Sequence, residues 1–422
     1  MSVTERGSDV RPALSRCVAI ATGDFADEYW GKRPLLTTAR ELGQDFSDLF
    51  SRDDVDELVS SRALRTPFVR MAKEGDVLPP ARYTAPGGFG AEISDQVSSE
   101  KVLAEVAAGA TLVLQGLHRT WPPIAEFARE LAGELGHPCQ VNAYITPASS
   151  RGFDPHYDVH DVFVLQIHGQ KHWTIHEPVH PDPLRDQPWS DHRAAVAARA
   201  SRTPAIDATF EPGDVLYLPR GWIHSATALG GISIHLTIGV AAYTRDEIVR
   251  EAIVRAAESA ALRSSLPLGF DPADTDALRP IVEATLADLV TALTDAAAEA
   301  ATTRAVSERL SAKRRTDTPP APLRPLATVE ATAALDASTA AGLSVVLRPG
   351  LVPRVSFTEE AVIVRLPAKT VSLPLAAGPA VERMLSRNPV AVSDLPELDL
   401  DSAVVVVRRL LREGVVVVVD GG

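Results

Sequence analysis

Residues 139–243 carry the pattern that most limits how this chain can fold, because short apolar runs alternate there with turn residues at close spacing. Runs of this kind are typical of strands in a β-sandwich or a β-barrel. Turns are predicted at residues 168–170 and 211–214. The predicted strands are Gln140–Ile145, Asp161–Ile167, Lys171–His176, Val215–Leu218 and Ile232–Val240.

The flanking segments have helical patterns. Helices are predicted in the N-terminal part around Asp54–Leu64, Ser99–Val106 and Ile124–Leu135, with one short buried strand at Thr111–Leu117. Residues 245–313 are also predicted to be helical. An apolar stripe there must be buried against the barrel, a neighbouring helix or a second subunit. Its members recur at helical spacing and are Val282, Leu286, Leu289 and Leu293.

The C-terminal part is set off by the proline-rich segment 314–328, which is predicted to be a linker. Strand-like Ala361–Leu366, helices at Ala377–Leu385 and Ser402–Arg412, and strand-like Val415–Val419 favour a winged-helix module. The fold class is therefore predicted as α+β. The predicted divisions are a barrel with an N-terminal helical elaboration over 1–243, a helical region over 244–313, the linker, and the module over 329–422.

Three side chains in the barrel region form a candidate metal site. On an extended strand, His156 and Asp158 point to the same face, and His224 follows a predicted turn and strand. Two histidines and one carboxylate leave open coordination positions, as in the nonheme Fe(II) oxygenases. We therefore predict that His156, Asp158 and His224 bind iron(II) and form the catalytic centre.

Three longer stretches resemble the JmjC-type ribosomal oxygenases of the cupin superfamily. They are QVNAYITP at 140–147, HYDVHDVFVLQIHGQKHW at 156–173 and GDVLYLPRGWIHSATALGGISIHLT at 213–237. The resemblance implies a double-stranded β-helix barrel followed by dimerisation helices and a winged helix. It also implies an Fe(II)- and 2-oxoglutarate-dependent oxygenase that uses O2 to hydroxylate the β-carbon of a protein side chain.

The resemblance assigns further residues by position. It implies that Lys171 pairs with the distal carboxylate of 2-oxoglutarate, as the chemistry of a dicarboxylate in a partly dry pocket requires. Asn142 and Tyr144 fall where the family has polar residues near the iron and the co-substrate. His160 is interpreted as a neighbour of the metal site or a surface residue, because a fourth protein ligand would block an open position. His235 is left open between substrate orientation and core packing. Arg70 is weighed between lining the entrance of the active site and forming a structural ion pair, with the ion pair preferred.

Other functions stay open at this level. A cupin enzyme without 2-oxoglutarate and a DNA-binding regulator are weighed against the hydroxylase. The chain is acidic overall, with a net charge of −13, and residues 341–422 carry as many acidic as basic side chains, so direct nucleic-acid binding is not expected. The expected substrate is a ribosomal protein histidine or arginine. A peptide natural-product precursor and lysine demethylation remain alternatives.

The cellular setting is predicted to be cytoplasmic. The N-terminus lacks an apolar signal segment, no apolar run suits a membrane span, and two cysteines are too few for a disulfide framework. A homodimer without membrane contact is expected, with a protein or peptide as substrate.

Overall fold

The computed structural model describes residues 12–90, 92–148, 153–294, 296–366 and 368–419. The chain divides into two compact units, Met1–Ala242 and Tyr243–Gly422. Both contain helices and antiparallel strands, as predicted for an α+β protein. Among the helices of the described residues, none combines the length and the apolar character needed to cross a membrane.

The first unit is built on a nine-stranded sheet in the order β1-β10-β8-β11-β7-β6-β2-β3, with β9 paired to β8. A separate pair, β4 and β5, lies outside it. The strands are β1 (Leu35–Thr37), β2 (Val69–Lys73), β3 (Asp76–Val77), β4 (Thr84–Ala85), β5 (Gln96–Val97), β6 (Thr111–Leu114), β7 (Cys139–Thr146), β8 (Asp161–His176), β9 (Ile206–Phe210), β10 (Val215–Leu218) and β11 (Ile223–Val240).

Helices of the first unit share its main core with the sheet. Apolar residues of α7, such as Phe127 and Leu131, are buried with Val141 of β7 and Phe163 of β8 in one cluster. The helices are α1 (Pro12–Ser15), α2 (Thr22–Glu28), α3 (Ala39–Leu42), α4 (Arg52–Ser61), α5 (Ser99–Ala107), α6 (Leu117–Thr120), α7 (Pro122–Leu135) and α8 (Arg193–Ala200).

Two strand predictions need correction. The expected reversal at residues 168–170 does not occur, and β8 runs on without interruption. Gly169 adopts φ +64° with the backbone of Ile232 against it, so the strand is locally irregular but does not turn back. Strand β11 pairs with β8 both before Leu229 and after His235, and the register shifts between these two residues. Strand β11 therefore begins at Ile223, well before the predicted start at Ile232.

The second unit has its own buried core, with Val362, Val381 and Val407 among its members. It holds the sheets β16-β12-β17 and β13-β14-β15. The helices are α9 (Arg245–Ala256), α10 (Thr275–Thr294), α11 (Ala296–Asp317), α12 (Pro325–Ala334), α13 (Gly378–Leu385) and α14 (Leu400–Arg412). The strands are β12 (Ser344–Leu347), β13 (Arg354–Phe357), β14 (Ala361–Arg365), β15 (Thr370–Pro374), β16 (Val390–Ala391) and β17 (Val416–Val418).

The segment predicted as a linker is shorter than expected. Helix α11 extends into it as far as Asp317, and α12 already begins at Pro325. Pro325 occupies the first turn of α12, where a missing backbone N–H costs nothing. Only residues 318–324 lie between the two helices.

Candidate metal centre

His156 and His224 are held side by side by two backbone hydrogen bonds. The N–H of His224 donates to the carbonyl of His156 at 2.8 Å, and the N–H of His156 donates to the carbonyl of His224 at 3.2 Å. The pair forms an isolated antiparallel bridge. Directly opposed residues in such a bridge project to the same face, and the two imidazole centroids are 4.4 Å apart.

Asp158 completes a cluster of three possible ligands. One ligand atom from each of His156, Asp158 and His224 lies within 4.8 Å of the others. The intervening Tyr157 points the opposite way, is only 1% exposed, and donates from its hydroxyl to the carbonyl of Gln187 at 3.2 Å. The segment is a bridge rather than the expected extended strand, yet the same alternation brings the three side chains together.

The hydrogen bonds of both histidines suit metal binding. Nδ1 of His156 lies 2.7 Å from the carbonyl oxygen of Asp154, and Nδ1 of His224 lies 3.2 Å from that of Trp222. Carbonyl oxygens only accept, so Nδ1 is the protonated nitrogen in each neutral ring. This leaves the Nε2 lone pair free, the usual arrangement in a metal-binding histidine. Burial lowers the pKa of His224 to about 4, so its ring is neutral at neutral pH.

The three side chains open into a cavity of about 260 Å³. Its walls come from β2, β6, β7, β8 and β11 and from the segments that carry Phe153 and Trp189. The lining residues are Arg70, Thr111, Tyr144, Thr146, Phe153, His156, Asp158, Val162, Val164, Lys171, Trp173, Trp189, His224, Ser225, Ala226, His235 and Thr237.

Lys171 is a buried cation in the wall of this cavity. It is 3% exposed, and its Nζ donates to Oγ1 of Thr146 at 3.2 Å. Within the part of the chain that the structure describes, no carboxylate pairs with it. Loss of hydration on burial lowers the pKa of Lys171 to about 7. A buried ammonium group without a counter-ion is costly, so the site favours an anionic ligand.

Tyr144 and His235 lie next to this lysine. Their rings stack in parallel with centroids 5.0 Å apart, and Nδ1 of His235 is 3.5 Å from Nζ of Lys171. Burial lowers the pKa of His235, which favours its neutral form beside the cation. Asn142 is not among the cavity-lining residues; its amide oxygen accepts from the N–H of Gly116 at 3.0 Å.

Sequence reasoning found only part of the cavity lining. Arg70 faces the cavity and has no ion pair among the described residues, so the structure agrees with the alternative of lining the entrance and not with the preferred structural ion pair. Phe153 and Trp189 also line it, although nothing in their sequence context marks them. His160 stays outside, with Nδ1 at 3.3 Å from the carbonyl of Asp161.

A family model and several curated relatives match this chain. Residues 123–248 match the model of the JmjC domain. The chain is 30% identical over 51% of its length to the bifunctional lysine-specific demethylase and histidyl-hydroxylase NO66 of Aedes aegypti, and 40% identical over 30% of its length to ribosomal oxygenase 2 of Mus musculus. These matches cover 32% and 27% of those relatives, so the chain spans between about a quarter and a third of their length.

One solved structure is similar over most of both chains. It is the crystal structure of the Escherichia coli ribosomal oxygenase YcfD, which matches with a TM-score of 0.51 at 18% identity and covers 95% of this chain and 98% of that one. At this identity the match describes the fold alone. It agrees with the mixed helix and sheet content described above.

Proposed function

We propose that this chain is a JmjC-type oxygenase, and more specifically an Fe(II)- and 2-oxoglutarate-dependent protein hydroxylase, because it is similar to the JmjC domain and to ribosomal oxygenases. The observation that carries the proposal is the pairing of two sites in one cavity. Three side chains that could hold a metal cluster at this cavity, and the buried Lys171 lines the same cavity.

We assign the metal to His156, Asp158 and His224. Two imidazoles and one carboxylate are the ligand set of nonheme Fe(II) oxygenases, and they leave positions open for other ligands. The free Nε2 atoms support the assignment, because Nδ1 of each histidine is already bonded to a backbone carbonyl. The rings therefore need no reorientation to bind a cation.

We assign 2-oxoglutarate to the side of the cavity that holds Lys171. A dicarboxylate supplies the anion that this buried ammonium group lacks, and Thr146 and Tyr144 add hydroxyl groups in the same cavity. Such a charge-assisted bond is stronger than one between neutral groups. His235 accepts from the ammonium group when its Nδ1 is unprotonated, which would orient the lysine.

The reaction divides between the bound groups and the chain. Iron and 2-oxoglutarate together supply O2 activation coupled to oxidative decarboxylation, which releases succinate and CO2. The chain contributes the fixed ligand geometry of His156, Asp158 and His224, the orientation of the co-substrate by Lys171, and an enclosed site. Trp173 and Val164 form apolar parts of the wall and limit water near the reacting groups.

The direct test is succinate release by the purified full chain supplied with Fe(II), 2-oxoglutarate and O2. We expect turnover that requires all three. Mass spectrometry of ribosomal proteins from cells with and without the protein should then reveal residues that gain one oxygen. Absence of 2-oxoglutarate-dependent succinate release from iron-loaded protein would contradict the proposed function.

The expected substrate is a ribosomal protein, hydroxylated at the β-carbon of a histidine or arginine. The names of the Mus musculus and Aedes aegypti relatives motivate this, since one is a ribosomal oxygenase and the other a histidyl-hydroxylase as well as a lysine-specific demethylase. A cytoplasmic location fits the two cysteines, which are buried free thiols.

We also propose a finer domain organisation. Residues 1–243 form the catalytic domain, and residues 244–313 form a dimerisation region. Residues 318–324, between α11 and α12, connect this region to a winged-helix-like module over residues 329–422. The small sheets and the helices α12, α13 and α14 support the last assignment. Its lack of net positive charge favours contact with protein over contact with nucleic acid.

Dimerisation through the helical region is supported by uncovered apolar side chains. Leu286 and Val290 of α10 are 55% and 59% exposed. Helix α11 contacts α9 partly through ion pairs, in which Lys313 and Arg309 face Glu247. Those contacts do not cover the apolar face of α10, and a two-fold partner would supply a matching surface.

A charge-introducing double substitution tests the dimer. We expect light scattering to give about twice the 45.0 kDa of one chain, and we expect Leu286→Glu/Leu289→Glu to yield monomers. The control is Leu326→Glu, since Leu326 is 80% exposed on α12, outside the proposed interface. A wild-type mass near that of one chain would contradict the proposal.

A further inference from the structure

Arg70 is a cavity-facing arginine without an ion-pair partner among the described residues. It lies on β2, lines the cavity, and its Nε is buried without a hydrogen-bond partner. Its guanidinium group lies over the ring of Phe153, 5.7 Å from the centroid. Throughout the described ranges, no carboxylate pairs with it. A buried donor left unpaired carries a cost that a ligand could remove.

Other shielded arginines of the same unit have carboxylate partners. Arg220 pairs with Asp161 at 3.5 Å and with Asp182 at 3.3 Å. Arg16 pairs with Asp48 at 2.7 Å. Arg70 differs from them in facing the cavity, so the group that completes its hydrogen bonds must enter from there.

The charges around the cavity limit which chemical group can accept hydrogen bonds from Arg70. Among the described residues that line the cavity, Asp158 is the one carboxylate. The lining contains one arginine, Arg70, and one lysine, Lys171. Once the site is loaded as proposed, the divalent metal offsets the doubly negative co-substrate, and Asp158 offsets Lys171. The charge of Arg70 then remains uncompensated and faces the incoming substrate.

Aromatic rings near the metal ligands narrow the approach. The ring of Phe153 is 5.9 Å from that of His156, and the ring of Trp189 is 6.2 Å from it. Arg193 lies over Trp189 at 4.5 Å and adds a second cation behind that ring. An entering side chain therefore meets aromatic surfaces and positive charge.

We propose that Arg70 determines substrate specificity by donating hydrogen bonds to a neutral or anionic acceptor of the substrate and by repelling cationic side chains. The inference rests on the proposed hydroxylase function. It selects among the substrates that the family resemblance leaves open. Neutral imidazole, amide, carboxylate and backbone carbonyl groups accept from a guanidinium group, whereas arginine, lysine and methylated lysine offer it no acceptor. Like charges brought together in a shielded site oppose binding.

The test uses the full-length protein and the proteome of cells that lack it. This proteome is incubated with iron-loaded protein, 2-oxoglutarate and O2, and mass spectrometry identifies each residue that gains oxygen. We expect the oxidised residue to be neutral or acidic. Succinate is measured in the same samples, so that the yield of oxidised residue per succinate is known.

Arg70 variants connect that selectivity to the side chain. We expect Arg70→Gln to lower the yield of oxidised residue per succinate by about ten- to a hundredfold, as loss of a charge-assisted hydrogen bond predicts. We expect Arg70→Lys to retain more of that yield, because it keeps the charge. The matched control is Arg40→Gln, which changes an exposed arginine of α3 and should leave the yield unchanged.

The possible outcomes separate this inference from the proposed function. Oxidation of an arginine or demethylation of a lysine would overturn the inference and leave the 2-oxoglutarate chemistry in place. The same holds if succinate is released without any oxidised protein residue, or if Arg70→Gln behaves like the control. No succinate release by the wild-type protein would contradict the proposed function and the inference with it.

Discussion

Replacing His224 with alanine is expected to abolish 2-oxoglutarate turnover and to weaken Fe(II) binding by at least about a hundredfold. Loss of a group that only supports a ligand already costs metal affinity about ten- to a hundredfold, and removal of the ligand itself should cost no less. The same result is expected for His156→Ala, since both imidazoles lie in the same cluster with Asp158. Metal content after dialysis and succinate release are the two measurements.

The matched control for these variants is His172→Ala. His172 lies on β8 but bonds to Asp207 at 2.8 Å and is absent from the residues lining the cavity. It should keep wild-type metal content and turnover. If His224→Ala or His156→Ala kept wild-type turnover with added iron, the residue concerned could not be a metal ligand.

Replacing Lys171 with alanine is expected to raise the 2-oxoglutarate concentration needed for half-maximal turnover by about ten- to a hundredfold. Hydrogen bonds to charged groups contribute about 1.5–3 kcal/mol, and each 1.4 kcal/mol is about tenfold in affinity. Metal content should stay near that of the wild type, because Lys171 is outside the ligand cluster. Lys73→Ala, on β2 and outside the residues lining the cavity, is the matched control.

The pH dependence of 2-oxoglutarate binding provides a second check on Lys171. Burial lowers the pKa of Lys171 to about 7 in the protein without 2-oxoglutarate. The side chain is therefore mostly protonated below that pH and mostly neutral above it. Binding of a carboxylate favours the charged form and must therefore take up a proton at higher pH. Affinity should fall as pH rises from 7 towards 9 in the wild type and should change less in Lys171→Ala. A wild-type affinity independent of pH would place the carboxylate partner elsewhere.

The sequence was sufficient to find the candidate metal ligands, because His156 and Asp158 lie two residues apart and His224 follows a turn that the sequence itself marks. That turn is encoded by Pro219 and Gly221. Alternation of side chains along the backbone then fixes which ones face inward. Lys171 was identified through resemblance to a family, since one lysine in a strand has no distinguishing local pattern.

Features that depend on tertiary packing were not accessible in this way. Gly169 has the sequence context of a hairpin, but pairing with β11 on both sides carries β8 through it. Arg70 has two acidic residues nearby in sequence, Glu74 and Asp76, yet its side chain lines the cavity and pairs with neither. Trp189 reaches the same cavity from a long connection between β8 and β9, whose path no short pattern specifies.

The two backbone hydrogen bonds between His156 and His224 bear on how the protein would acquire the proposed metal. Because main-chain atoms make them, the histidines are aligned before any ion arrives, and binding need not supply the energy of folding. In domains that fold only around a metal, a chelator is also a denaturant. Here a chelator should remove iron and leave a folded apoprotein that can be reloaded. Iron supply in the cell would then change the fraction of the protein that is active without changing the amount of folded protein.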